Sequence, residues 1–248
     1  MGDAVVSPAE PEAPAQSFPE RLMGVFISPG ETFADVARRP SFIAPLLLII
    51  LLAIAGTEIF LHKIGMESVV RWALEHNSRV PQDQVPAMVE KMTPYYVWIG
   101  RVAAVVWPPL VALVTALIGL VAVNNIFGGR ITFKTAFAVS SYAYAVNIIY
   151  YLLAPCMVLF GDPDHYASNP GNPTPTSVGF FLNPLDTSKP LLALASSVEL
   201  FTIWYMALLA IGFSVASGRK VKTLPLFFTF FGLWVLMVLI KMGLATLG

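Results

Sequence analysis

The chain has 248 residues, of which 56% are hydrophobic and only 12% charged, and its mean hydropathy is +0.72. A water-soluble domain carries about 25% charged residues, so this composition excludes a soluble globule and leaves lipid to solvate much of the surface. Fifteen basic and fifteen acidic residues cancel, which excludes a broad basic face for nucleic acid.

Residues 1–16 are proline-rich and net acidic and read as a disordered tail. The first 20 residues hold no basic n-region and no apolar core, so no secretory signal is expected. Residues 17–40 follow as two short amphipathic helices. Ser17-Phe18-Pro19-Glu20 and Ser28-Pro29-Gly30-Glu31 both read S-x-x-E, a capping box with proline in the first turn. Phe18, Leu22, Val25 and Phe26 share one face of the first helix, and Phe33, Val36 and Ala37 one face of the second. With Arg38 and Arg39 at the end, these read as interfacial helices anchored by Phe18, Leu22, Phe26 and Phe33. The alternative is a helix pair packed on the bundle.

Residues 41–248 form the transmembrane domain. A helix needs about 20 apolar residues to cross the hydrocarbon layer, and five stretches qualify: 42–61, 95–123, 133–160, 197–216 and 224–247. Backbone groups in lipid must be bonded within their own element, so an all-α polytopic bundle of about five helices is expected. Residues 67–76 read as a short helix in the loop 62–94, and 162–175 as a turn-bearing loop. Arg130 in one short loop, and Arg219, Lys220 and Lys222 in another, have no acid beside them. The positive-inside rule then puts the N-terminus in the cytoplasm and the C-terminus outside. The loop 62–94 runs against this assignment, with four cations on the outer side.

Ionisable and polar groups within spans are the places to seek function. Glu199 would lie near mid-membrane if its helix began at Pro190. Ser196-Ser197-Val198-Glu199 reads instead as a third capping box, with 190–195 as a separate interfacial segment. Glu58, Arg101 and Lys241 fall near the outer ends of their spans, and one of these cations has Glu58 or Glu199 within reach. Asn147 falls mid-span among tyrosines and reads as interhelical hydrogen-bond glue, or as part of a polar pocket. Glu58, Arg101, Asn147 and Glu199 are therefore the candidate intramembrane site. H-E-x-x-H, G-x-S-x-G and Walker motifs do not occur, and Cys156 is the sole cysteine. No catalytic residue, metal or cofactor is expected.

Four segments together resemble the YIP (Ypt/Rab-interacting protein) membrane family, and its bacterial branch more closely. They are Phe26-Ile27-Ser28-Pro29-Gly30-Glu31-Thr32-Phe33, Gly128–Lys134, Ser141-Tyr142-Ala143-Tyr144, and Glu199-Leu200-Phe201-Thr202-Ile203-Trp204 with Gly212 beyond. The resemblance spans roughly residues 20–245. It implies a helical bundle with a cytoplasmic N-terminus, no catalytic activity, and a place in a bacterial cytoplasmic membrane. Ile43-Ala44-Pro45-Leu46 stands where eukaryotic relatives carry D-L-x-G-P, which argues against Rab-type GTPase binding. The expected role is a membrane scaffold or adaptor, with the bilayer and a membrane-protein partner or a second copy as its contacts. A small oligomeric transporter using Asn147, Glu199 and the Pro108-Pro109 break is the alternative.

Overall fold

The computed structural model describes residues 15–77 and 79–247. The tail read at 1–16 therefore lies almost wholly outside the described residues. Eleven α-helices are present among them: α1 Phe18–Ile27, α2 Pro29–Arg38, α3 Ile43–Lys63, α4 Met66–Glu75, α5 Val85–Val121, α6 Phe133–Tyr144, α7 Asn147–Phe160, α8 Pro163–Ser168, α9 Lys189–Ala195, α10 Leu200–Ala216 and α11 Thr223–Leu247.

Among the described residues, four segments are long and apolar enough to cross a membrane: α3, α5, the α6–α7 stretch and α11. The fifth, α10, has 17 residues, about 25 Å at the helical rise, slightly short of a ~30 Å hydrocarbon layer. Sidedness within each helix follows the helical period. On α3, Ile43, Leu47, Leu51 and Ile54 are exposed, whereas Leu46, Ile49 and Ala53 are buried. Trp98, Ile99, Leu110, Val114, Leu117 and Val121 extend the exposed apolar surface along α5. Apolar surface on this scale marks a membrane contact. The protein is an all-α integral membrane bundle.

The core centres on α10, which packs against α2, α6 and α11. Val139, Ala143, Leu208, Leu209, Ala210 and Phe213 are all at most 1% exposed there. Two glycines allow the close approach. A Cβ on Gly119 would collide with the Phe213 ring, and one on Gly212 would collide with Val139 and press on Phe33.

Two local expectations are corrected, and the third span, Phe133–Phe160, carries a break: α6 ends at Tyr144, and turns closed by i to i+3 bonds carry the chain through Ala145 and Val146 before α7 begins. The Asn147 amide donates to the freed Tyr144 carbonyl (3.1 Å), a side-chain bond that competes with helical pairing. The Ser17–Glu20 box forms, with Ser17 N donating to Glu20 at 2.6 Å, but Ser28 makes no side-chain cap. Its backbone N–H instead closes the preceding helix on Gly24 O. The box at Ser196 is also absent, because Ser196 is the C-cap of α9, its Oγ accepts from Asn172, and Glu199 itself is the N-cap of α10.

The loop from α8 to α10 is folded tightly. Asn169, Asn172 and Ser177 are buried, and the Asn172 side chain bonds Asn169, Ser177 and Ser196 at 2.7–2.9 Å. Val178 N–H donates to Val198 O, and Leu200 N–H to Thr176 O. The loop is thus stitched to the start of α10. On the opposite side, the Asn124 amide clamps Ile131 through both its backbone groups (2.8 and 2.9 Å), closing the turn between α5 and α6.

Candidate functional site

The polar residues of the bundle fall into three groups. The first joins α1 to α2. Arg21 and Asp35 are both buried, and the guanidinium meets the carboxylate through Nε and Nη2 at 2.7 Å. Arg21 Nη1 also donates to Arg39 O (3.1 Å) and Ser41 Oγ (2.9 Å), and Arg21 Cζ lies 5.7 Å from the centre of the Tyr142 ring. One cation therefore ties α1, α2, the entry to α3 and α6 together. Arg21 Nε and Nη2 share Asp35 Oδ2, while Oδ1 is buried without a hydrogen bond and lies 3.9 Å from Arg38 Nη2. Neither Arg21 nor Asp35 stood out in the sequence.

Above this pair, Val25, Phe33 and Val36 are wholly enclosed in protein, and Phe18 and Phe26 pack on the same core. Of the four proposed anchors, Phe33 therefore faces the bundle. Phe26 meets Trp204 edge-on at 5.7 Å, and Leu22 is half-buried. Met23 and Ile27 project outward from α1, 60% and 75% exposed. Hydrogen bonds from the Ser17 backbone and hydroxyl hold the Glu20 carboxyl below its ordinary value.

The second group lies at the far ends of α3 and α5. Arg101 forks onto Glu58 through Nε and an Nη (2.7 and 2.9 Å), with both side chains about half exposed. Glu58, rather than Glu199, is thus the partner of Arg101. Lys241 reaches Ser197 Oγ at 3.5 Å.

The third group lies between α5, the α6–α7 break, α10 and α11. Glu199 Oε2 accepts from Thr202 N (2.9 Å) and Thr202 Oγ1 (3.3 Å), while its Oε1 is buried without a hydrogen bond. Thr202 lines a crevice of about 410 Å³ together with Asn147, Tyr144, Thr115 and Tyr205. Thr115 and Tyr205 hydroxyls are 2.7 Å apart, and Tyr144 and Tyr205 rings meet edge-on at 5.3 Å. Glu199 and Asn147 thus border one region, whereas Glu58 and Arg101 form a separate pair. Pro108 and Pro109 lie inside an α5 that continues past them.

Three of the segments singled out in the sequence meet α10: Phe26 touches Trp204, Phe33 packs against Gly212, and Tyr144 meets Tyr205 edge-on, while Tyr142 lies over Arg21 of α1. The Yip1 domain model matches residues 23–242. The chain belongs to the Yip1 family. Comparison with curated proteins and with solved structures returned no match. The Yip1 match takes in all of α2 to α10, most of α11 and the second half of α1, so α2 and the end of α1 belong to the Yip1 unit along with the spans.

Proposed function

We propose that this Yip1-family protein is a non-enzymatic membrane scaffold or adaptor that binds another membrane protein or a further copy of itself. The observation that carries the reading is the α1–α2 pair. It sits outside the spans, is locked to the bundle by the buried Arg21–Asp35 pair, and holds Met23 and Ile27 outward. A rigid apolar ledge beside the membrane suits protein docking, because little ordering entropy remains to be lost on binding. Arg130, Arg219, Lys220 and Lys222 are exposed in the loops on the side of that ledge, which supports a cytoplasmic N-terminus and a C-terminus outside.

The test is affinity capture from native membranes with the wild type and with Met23→Asp/Ile27→Asp. A reproducible partner captured by the wild type and lost from the double variant is expected. A partner-free monomer in several detergents and in nanodiscs would contradict the reading.

A transport reading draws on one observation, the contact of Glu199 with Thr202 at the edge of the crevice holding Asn147. Proteoliposome flux abolished by Glu199→Gln would favour it, and flux unchanged in that variant would remove the carboxylate from the mechanism.

A further inference from the structure

Helix α11 packs on α10 and α9, while α5 packs on α3, α4 and α6. Between α5 and α11 the wall of the bundle is left open. Two adjoining cavities that share Ile118 and Leu233 follow this gap. One, about 410 Å³, contains the Thr115–Tyr205 pair. The other, about 580 Å³, is lined by Leu117, Val121, Ile126, Thr229 and Gly232 and runs toward the end of α5 and the start of α11. Volumes in this range suit small-molecule ligands, or one or two hydrocarbon chains. A helix with its side chains, ~10 Å across and ~30 Å long, needs more room.

The end of this crevice is basic. A Cβ on Gly129 would touch both Val123 and Val221, so the loops 127–132 and 217–222 pack together there. They carry Arg130, Arg219, Lys220 and Lys222, all exposed, with Lys134 just beyond. The 217–222 loop is held rigid: Ser214 Oγ donates to Val221 O (2.7 Å), and Val221 N–H to Ser217 Oγ (3.2 Å). No acid occurs between residues 91 and 161 or between 200 and 248. The nearest element with carboxylates is α2, which passes Arg219 at Gly30. There Asp35 is already paired with Arg21, leaving Glu31 exposed on the Arg219 side.

We propose that the α5–α11 crevice binds one anionic glycerophospholipid from the leaflet next to α1 and α2. Its acyl chains lie against Leu117, Ile118, Val121, Gly232 and Leu233, and its phosphate meets the cations of the two loops. An apolar slot alone would take any lipid. The cationic rim supplies the preference for an anionic headgroup, since each basic residue near a negative membrane surface adds favourable attraction. Its five basic residues face Glu31 as the one nearby free carboxylate among the described residues. This inference is independent of the scaffold reading, because it concerns the α5–α11 crevice rather than Met23 and Ile27 and needs no protein partner.

The test is native mass spectrometry of delipidated full-length protein offered equal amounts of phosphatidylglycerol and phosphatidylcholine. The wild type should retain a single phosphatidylglycerol several-fold more than phosphatidylcholine. Gly232→Trp fills open space in the crevice and should remove the adduct while leaving the melting temperature unchanged. Leu117→Trp, from the facing wall, gives the same readout if the first variant does not fold. Leu239→Trp, outside the crevice, should bind as the wild type does. Arg130→Gln/Lys220→Gln/Lys222→Gln should retain lipid but equalise the two headgroups. Equal retention of both lipids by the wild type would overturn the proposal, as would an adduct that persists in both groove-filling variants.

Discussion

Arg21 and Asp35, fourteen residues apart on two separate helices, meet at 2.7 Å in a site that leaves each at most 5% exposed. Breaking a buried pair on one side strands the other charge, at a cost of about 3–5 kcal/mol. Asp35→Ala should therefore detach α1 and α2, raising amide exchange and protease cleavage across residues 17–41 while the spans stay protected. Arg21→Met/Asp35→Leu removes both charges and should be milder than either single change. A double variant as labile as Asp35→Ala would show that the ion pair is not what holds the ledge.

The contact of Gly119 with Phe213 predicts a steric rescue. Gly119→Ala forces its Cβ into the ring and should cost about 1–3 kcal/mol, as overpacking does. In a Phe213→Ala background that penalty should largely vanish, because the cavity receives the methyl group. Thermal unfolding of the four proteins in detergent measures the coupling.

Glu199 caps α10 through the Thr202 N–H. Glu199→Ala should cost about 1 kcal/mol and speed exchange in the first turn of α10, whereas Glu199→Gln keeps an acceptor oxygen and should lose less. Equal effects would mean that the charge, rather than the cap, matters at this position.

Glu20 gives a pH dependence with a definite sign. Ser17 holds its carboxyl below the ordinary 4.5 in the folded protein, so the stabilisation is complete above that value. It is lost as pH falls through the lower folded value. Amide exchange of the first turn of α1 should therefore rise in acid below about pH 4.5 in the wild type, and show no such step in Glu20→Gln.

Much of the bundle was legible in the sequence, because spans need long apolar runs and Ser17-x-x-Glu20 carries its cap locally. The break after Tyr144 was not, since the apolar run continues through it and only Asn147 interrupts the pattern. Arg21 and Asp35 were not singled out. Their signal was position: Arg21 lies between Phe18 and Val25 on the same helical stripe, and Asp35 between Phe33 and Val36. Glu58 and Arg101 were recognised singly, but their pairing depends on how α3 packs against α5. The Asn169–Asn172–Ser177 network depends on Ser196, 24 residues beyond Asn172, a contact that no local pattern encodes.

The most direct test of the scaffold reading is a photo-crosslinking residue placed at Ile27 and, as a comparison, at Ile240, which is exposed on α11. In native membranes, Ile27 should give a discrete protein adduct that disappears in Asp35→Ala, while Ile240 labels lipid. Lipid adducts alone at Ile27, unchanged by Asp35→Ala, would contradict the reading.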